Sequence, residues 1–193
     1  MHYDGYQCWI DLNQHDSLPE SYEKSNQVFR ISSEIDDKLI SLGSSVVFLQ
    51  KESSSAKNPP SIKDISKYAK SFLNTPYLWG GRSEWGIDCS GFTQIVYKLC
   101  GVEILRDASQ QVLEGESIPY KDLGIGDLIF FCDYEKRNEP SITHVGLYLG
   151  GNDIIHASGK VRIDRLDEQG IYNSNLGRYS HAYLSARRMI NAN

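Results

Sequence analysis

One cysteine stands where a helix is predicted to begin, which is a position that favours a reactive thiol. Cys89 lies in the segment Asp88-Cys89-Ser90-Gly91, and apolar residues then recur at helical spacing (Phe92, Ile95, Val96 and Leu99). A helix N-terminus favours anions, so we expect a lowered pKa and a nucleophilic thiolate. Asp88 would oppose this effect if its carboxylate points at the sulfur, or it would point outward and bind a cation. The alternative for Cys89 is an unreactive, buried thiol.

Two histidines are predicted to share one β-hairpin and could supply the base that a cysteine nucleophile needs. His144 begins the run His-Val-Gly-Leu-Tyr-Leu, His156 lies in Ile-Ile-His-Ala, and Gly150-Gly151-Asn152 separates the runs. A three-residue loop would place residue 156 opposite 146, on the same face as His144, whereas a two-residue turn would separate the two imidazoles. The glycine-rich sequence favours the three-residue loop. We therefore predict that both imidazoles face Cys89.

The other histidines and cysteines carry no predicted site. We expect His2, His15 and His181 at the surface, because their neighbours in sequence are polar. Cys8, Cys100 and Cys132 are expected to be buried thiols. No C-x-x-C pair occurs, which argues against a zinc site, and the sequence implies no metal or organic cofactor.

The composition is that of a soluble globular protein. The chain has 193 residues, of which 40% are hydrophobic and 23% charged, and its net charge is −5. This mildly acidic balance argues against nucleic acid as a partner. No apolar run approaches the roughly 20 residues of a membrane span. The N-terminus does not resemble a secretory signal, so we expect a cytoplasmic location, or a periplasmic or exported one if an upstream segment is missing.

The elements that must position the cysteine and histidines are helices first and strands afterwards. Serines and prolines in 51–60 are typical of a linker, which separates a unit at 1–58 from a second unit at 59–193. A helix is predicted after Ser61, with Asp64 completing a capping box. Five β-type runs follow the helix of Cys89: Asp127–Phe131, His144–Leu149, Asp153–Ala157, Lys160–Leu166 and Tyr183–Met189. This order predicts an α+β domain with helices packed on an antiparallel sheet.

Five ordered motifs resemble the NlpC/P60 family of cysteine peptidases over roughly residues 61–190. They are Pro76-Tyr77-Leu78-Trp79-Gly80-Gly81, Asp88-Cys89-Ser90-Gly91-Phe92, Gly126-Asp127-Leu128-Ile129-Phe130-Phe131, His144-Val145-Gly146 and Ile155-His156-Ala157. The resemblance implies a reduced papain-like fold, in which a helix bearing the nucleophile packs on an antiparallel sheet. It also implies cleavage of bacterial cell-wall stem peptides after γ-linked D-glutamate, before the diamino acid.

The resemblance assigns roles to individual residues. Cys89 would be the nucleophile, His144 its general base and His156 the residue that orients the base, with Tyr77 near the oxyanion. The pocket for the non-primed side of the substrate would be lined by Asp88, Ser90 and Trp79, and Asp88 would hold a free L-alanine amine. Arg82 and Arg106 could meet substrate carboxylates, although a structural ion pair is the favoured role for each.

Two features depart from the family pattern. Tyr3–Asp11 resembles the closing strands of a bacterial SH3-like domain whose preceding strands are missing, so 1–58 is interpreted as a truncated SH3-like remnant with a linker. Ala108 stands where many relatives have serine. The main hypothesis is a γ-D-glutamyl-L-diamino acid endopeptidase acting on peptidoglycan stem peptides. The alternatives are a catalytically weak protein that binds these peptides, and an acyltransferase or amidase with the same cysteine and histidine.

Overall fold

The computed structural model of the chain describes residues 62–138 and 141–189. The predicted unit at 1–58, including Cys8, His2 and His15, lies outside these residues, and so does Ser61 of the predicted capping box. The described part contains three α-helices, a small hairpin and a seven-stranded antiparallel sheet.

The helices lie in the first half of the described chain. They are α1 (Ile65–Ser71), α2 (Cys89–Leu99) and α3 (Ala108–Gln111), and a 3₁₀ turn at Ile62–Asp64 leads into α1. The hairpin of β1 (Arg82–Ser83) and β2 (Gly86–Ile87) precedes α2. Every residue of α2 is buried. The helix ends before Gly101, whose φ of 81° is the left-handed conformation expected of a glycine that terminates a helix.

Seven strands follow in the second half. They are β3 (Glu116–Ser117), β4 (Leu128–Asp133), β5 (His144–Gly150), β6 (Asp153–Ser158), β7 (Lys160–Asp167), β8 (Gly170–Asn173) and β9 (Arg178–Arg188). Their order in the sheet is β3-β9-β4-β5-β6-β7-β8, and β8 also pairs with β9. This last pairing joins β8 to β9, so that β4 to β9 form a closed ring of six strands and β3 extends from β9 outside it.

Successive side chains along the strands point alternately into two hydrophobic cores, one on each face of the ring. In β4, Leu128 and Phe130 pack in the core that also contains α1 and α2, whereas Ile129 and Phe131 pack in the core inside the ring. The helices therefore cover the outer face of the ring. The inner face is filled by Ile118, Ile129, Phe131, Ile154, Leu166, Ile171 and Ala186.

The predicted strands agree with the structure except at the last two, and the short elements β1, β2, α3 and β3 were not predicted. The runs predicted at 127–131, 144–149, 153–157 and 160–166 correspond to β4, β5, β6 and β7. The sequence analysis missed β8 and began β9 five residues late, at Tyr183 rather than Arg178. Both segments are rich in asparagine, serine and tyrosine, and their pairing with each other comes from closure of the ring rather than from hydrophobic alternation.

No helix in the two described stretches is long and apolar enough to cross a membrane.

Candidate active site

The carboxylate of Asp88 organises the start of α2. Its Oδ1 atom accepts a hydrogen bond from the backbone N–H of Gly91 at 2.7 Å, which is the N-cap interaction of the helix. Its Oδ2 atom accepts from the backbone N–H of Gly80 at 2.8 Å. A side chain at Gly91 would collide with the carbonyl oxygen of Gly81, so the glycine allows the loop and the helix to approach closely.

The same carboxylate forms a buried ion pair with Arg106. The two guanidinium nitrogens lie 2.9 Å and 2.5 Å from the Asp88 oxygens, and one of them also donates to Ser90 Oγ at 2.8 Å. Asp88, Ser90 and Arg106 are each more than nine-tenths buried. The structural role favoured for Arg106 is therefore confirmed. Asp88 does not point outward, and any substrate amine would share a carboxylate that a guanidinium already neutralises.

Cys89 is 7% exposed and occupies the first residue of α2. Burial and the charge of Asp88 raise the pKa of its thiol, and backbone hydrogen bonds from Val145 and Ser90 oppose this effect without overcoming it. The expectation of a lowered pKa is therefore wrong. The helix N-terminus does favour an anion here, but Asp88 already is that anion, so the thiol is protonated at neutral pH.

The hairpin of β5 and β6 brings His144 and His156 to one face, as predicted. Gly146 pairs with His156, and Tyr148 pairs with Ile154. The predicted three-residue loop is wrong, however, because the turn has two residues, 151–152, and a bulge before Gly150 supplies the shift in register. The extra residue in the bulge has the same effect as a three-residue loop would have. It shifts the pairing partner of His156 from residue 147 to residue 146, which is on the same face as His144.

The prediction placed both imidazoles on the face toward Cys89. In the structure they share the inner face of the ring, whereas α2, which begins at Cys89, packs on the outer face. Val145 and Leu147 point to the outer core with α2, so His144 and His156 point into the ring, on the side of Ile154. The Cys89 thiol receives a hydrogen bond from the backbone N–H of Val145, the residue that follows His144 in β5. The two side chains therefore come from opposite faces of the sheet.

A chain of hydrogen bonds runs from His144 to a buried carboxylate. Nε2 of His144 lies 2.8 Å from Nδ1 of His156, and Nε2 of His156 lies 3.1 Å from Oδ2 of Asp164. The ionised Asp164 can only accept, so Nε2 of a neutral His156 carries the hydrogen and its Nδ1 must accept. His144 then donates from Nε2, which leaves its Nδ1 without a hydrogen. The network thus assigns His144 the tautomer that can take a proton at Nδ1.

The sequence analysis missed Asp164. Burial raises the pKa of this carboxyl, but hydrogen bonds from His156 and Arg162 outweigh burial and lower it, and Arg162 lies 2.7 Å away. Asp164 could have been found by applying the same pairing argument to the next hairpin, in which β6 and β7 are joined at Gly159. Ser158 pairs with Lys160, so His156 pairs with Arg162 and has Asp164 as a diagonal neighbour on the same face.

The surface position predicted for His181 is also wrong. Its imidazole stacks on the imidazole of His144, with 4.1 Å between the centroids, inside the ring of strands. Burial and the neighbouring His156 lower the pKa of His181 to about 4. Burial likewise lowers the pKa of His144 well below its ordinary value, with His181 and His156 adding to the effect, and it lowers that of His156. All three rings are therefore neutral at pH 7.

The other residues predicted for the site, Tyr77, Trp79 and Arg82, differ in how far they are buried. Tyr77 is half-buried, and burial together with the nearby Cys89 and Asp88 raises the pKa of its hydroxyl, which places it beside the thiol. Trp79 is 84% exposed on the loop that Asp88 holds. Arg82 donates to the side-chain oxygen of Gln94 at 3.3 Å, a contact within the protein.

A cavity of about 500 Å³ opens next to His144. Its lining combines small polar residues with two charged ones, namely Tyr77, Asp133, Lys136, Ser141, Thr143, His144, Ala157, Ser158, Gly159, Ser180 and His181. None of Asp88, Ser90 and Trp79 is among these residues, so the polar cluster at the start of α2 does not line the cavity. Among the residues that the structure describes, no three histidines, cysteines or acidic side chains are arranged to hold a metal ion.

Comparison with known proteins gives consistent matches. A sequence model described as the NlpC/P60 family matches residues 74–179. A γ-D-glutamyl-L-lysine dipeptidyl-peptidase from Bacillus subtilis (strain 168) is 37% identical over 134 residues, covering 69% of this chain and 42% of the relative. A dipeptidyl-peptidase 6 from Lysinibacillus sphaericus is 42% identical over 115 residues, covering 55% and 37%. The chain thus spans less than half the length of these curated relatives.

Solved structures agree in fold. A crystal structure of an NlpC/P60 family protein from Bacillus cereus ATCC 10987 has a TM-score of 0.58 at 34% identity, covering 69% of this chain and 42% of that one. The NlpC/p60 domain of the peptidoglycan hydrolase SagA has a TM-score of 0.51 at 29% identity, covering 66% of this chain and 97% of the domain. The expected α+β, papain-like arrangement of helices on an antiparallel sheet is therefore confirmed, and the chain belongs to the NlpC/P60 family.

Proposed function

We propose that this protein is a cysteine peptidase that hydrolyses the amide bond between γ-linked D-glutamate and a diamino acid in peptidoglycan stem peptides. One observation carries the proposal: the hydrogen-bonded series His144–His156–Asp164 leaves an unprotonated nitrogen on His144, and the Cys89 thiol contacts the backbone of the next residue in β5, Val145. A thiol and an oriented imidazole base are the groups that amide hydrolysis through an acyl-enzyme requires. The names of the relatives support the choice of bond.

The burial of the site fits a mechanism in which the thiol gives up its proton only as it attacks. Cys89 is a neutral thiol and His144 a neutral imidazole at rest, because burial raises the pKa of the first and lowers that of the second. Nδ1 of His144 takes the proton while the sulfur bonds to the γ-carbonyl carbon of D-glutamate. The imidazolium then gives this proton to the leaving amine, and the thioester remains on Cys89.

Hydrolysis of the thioester completes the cycle. Water gives a proton to His144 as its oxygen attacks the thioester carbon, and the thiol recovers that proton when the acid product leaves. The backbone N–H of Cys89 at the start of α2 and the hydroxyl of Tyr77 are the donors we assign to the oxyanion. Asp164 keeps His156 in the tautomer that accepts from His144, and its charge stabilises the imidazolium at each step.

The cluster at the start of α2 fits the other end of the substrate. The Asp88 carboxylate, held by Arg106 and Ser90, would accept from a free L-alanine amine at the edge of the cluster. The exposed Trp79 lies on the loop beside it. This arrangement favours short stem-peptide fragments with a free N-terminal L-alanine.

The test is hydrolysis of L-Ala-γ-D-Glu-meso-diaminopimelate, followed by mass spectrometry of the products. The wild-type protein should release the dipeptide L-Ala-D-Glu and the free diamino acid. Cys89→Ala should release neither, while Cys100→Ala, which removes a thiol at the other end of the same helix, should retain turnover. Undiminished hydrolysis by Cys89→Ala would refute the assignment. Tight binding without turnover by the wild-type protein would favour the peptide-binding alternative.

A further inference from the structure

The cavity beside His144 contains two opposite charges that the proposed mechanism does not use. Asp133, at the end of β4, and Lys136, in the following 3₁₀ turn, both line it. The other lining residues supply hydroxyl, imidazole and backbone groups without a permanent charge. At about 500 Å³, the cavity lies within the roughly 300–1,000 Å³ that is usual for small-molecule sites.

Asp133 is held in place next to His181, which stacks on His144. It pairs across the strands with His181, and its negative charge acts to raise the pKa of that ring, so the carboxylate and the imidazole are close. Its Oδ1 atom accepts the backbone N–H of Glu135 at 3.0 Å. Within the described residues its Oδ2 atom has no hydrogen-bond partner, so one carboxylate oxygen remains available to a ligand in the cavity.

Lys136 presents a positive charge at the same cavity. Its side chain is exposed, and no carboxylate of the described ranges lies within 4.0 Å of its ammonium group. Asp133 and Lys136 are therefore close enough to share a cavity and too far apart to neutralise each other. A ligand that carries an ammonium and a carboxylate a few ångströms apart would complement both charges.

We infer that this cavity binds the leaving diamino acid and favours one whose distal carbon carries both an ammonium and a carboxylate, as in diaminopimelate, over one that ends in an ammonium alone, as in lysine. The inference rests on the proposed function. His144 gives its proton to the leaving amine, so the leaving residue must lie against His144, where the cavity is. Asp133 then receives the distal ammonium and Lys136 the distal carboxylate.

The test compares kcat/KM for two tripeptides, L-Ala-γ-D-Glu-meso-diaminopimelate and L-Ala-γ-D-Glu-L-Lys. We expect the wild-type protein to prefer the first by about tenfold. Lys136→Met should reduce this preference by about fivefold, as removal of an exposed ionic contact does. Asp133→Asn, which keeps the acceptor for Glu135, should lower kcat/KM for both peptides. Lys121→Met, an exposed lysine outside the cavity, is the matched control and should change neither.

Several outcomes would overturn the subsite. Equal kcat/KM for the two peptides would do so, and an equal loss on both peptides in Lys136→Met would assign the lysine to the α-carboxylate that the peptides share. If the wild-type protein cleaves neither peptide, the proposed function fails. The subsite is then judged from calorimetric binding of both peptides to Cys89→Ala, where equal affinities would refute it and tighter binding of the diaminopimelate peptide would support it.

Discussion

Two clusters of buried polar side chains lie on opposite sides of the sheet, and they offset the cost of burial in different ways. At the start of α2, Asp88 and Arg106 are both charged, and their charges cancel within hydrogen-bonding distance. Inside the ring, His144, His156 and His181 are neutral because burial lowers their pKa values. The first cluster holds backbone in place. The second can change its protonation, which a catalytic base must do. The difference explains why the proposed proton acceptor is one of the histidines and not Asp88.

The largest expected effect comes from breaking the charge balance at α2. Arg106→Met leaves Asp88 buried without its cation, which should lower the free energy of unfolding by about 3–5 kcal/mol. Urea denaturation measures the loss. The exposed pair Arg165–Asp153 is the control, because its side chains are 61% and 42% exposed and Arg165→Met should cost less than about 1 kcal/mol.

A second substitution separates charge from packing at this cluster. Asp88→Asn in the Arg106→Met background removes the uncompensated charge and keeps an acceptor for Gly91, so part of the stability should return. If the double variant is as unstable as Arg106→Met alone, the guanidinium acts through packing and the account of the cluster as a balanced ion pair is wrong.

Asp164→Asn removes the carboxylate that accepts a hydrogen bond from His156 and leaves all three imidazoles in place. The amide can present a donor to His156 and reverse the tautomers, so kcat should fall about 10²-fold, with a smaller change in KM. A role in positioning also predicts a shifted acid limb in the pH profile of kcat. Asp153→Asn, an exposed carboxylate on the preceding strand, is the control. A loss of stability with an unaltered pH profile would reduce Asp164 to a structural residue.

Gly146→Ala tests how closely the two histidine strands must fit. An added Cβ would lie 2.7 Å from Cδ1 of Ile154 and 3.0 Å from Cβ of His156. We expect His156 to be displaced, kcat to fall about tenfold and the free energy of unfolding to fall by about 1–3 kcal/mol. Steady-state kinetics and urea denaturation measure the two effects, and unchanged values of both would show that the hairpin yields without moving the imidazole.

The smallest effect concerns the pH dependence of stability. The pKa of His181 is about 4 when folded and 6.5 in its ordinary state, so the unfolded chain takes up a proton first as the pH falls. Stability from the neutral ring is full above about pH 6.5 and is lost toward pH 4. In His181→Asn the Tm should fall less between pH 7 and pH 5 than in the wild type. Parallel curves would contradict the lowered pKa.

The sequence predicted those parts of the site that depend on local periodicity. The helix after Asp88 follows from the spacing of Phe92 and Ile95, and the shared face of His144 and His156 follows from the parity of one hairpin. Asp164 was within reach of the same argument carried one strand further. The Asp88–Arg106 pair was not, because the segment between the end of α2 and Arg106 has no periodicity that would fix the position of the arginine. Neither was His181, whose burial depends on closure of the ring.

The bulge before Gly150 limits how this hairpin can change during evolution. A single residue deleted from or inserted into the connection would shift His156 by one position and exchange its place with that of a buried isoleucine. One imidazole would then lie under α2, and an apolar chain would face His144. Descendants of this sequence can therefore lengthen or shorten the turn in steps of two residues, or by one residue together with loss of the bulge.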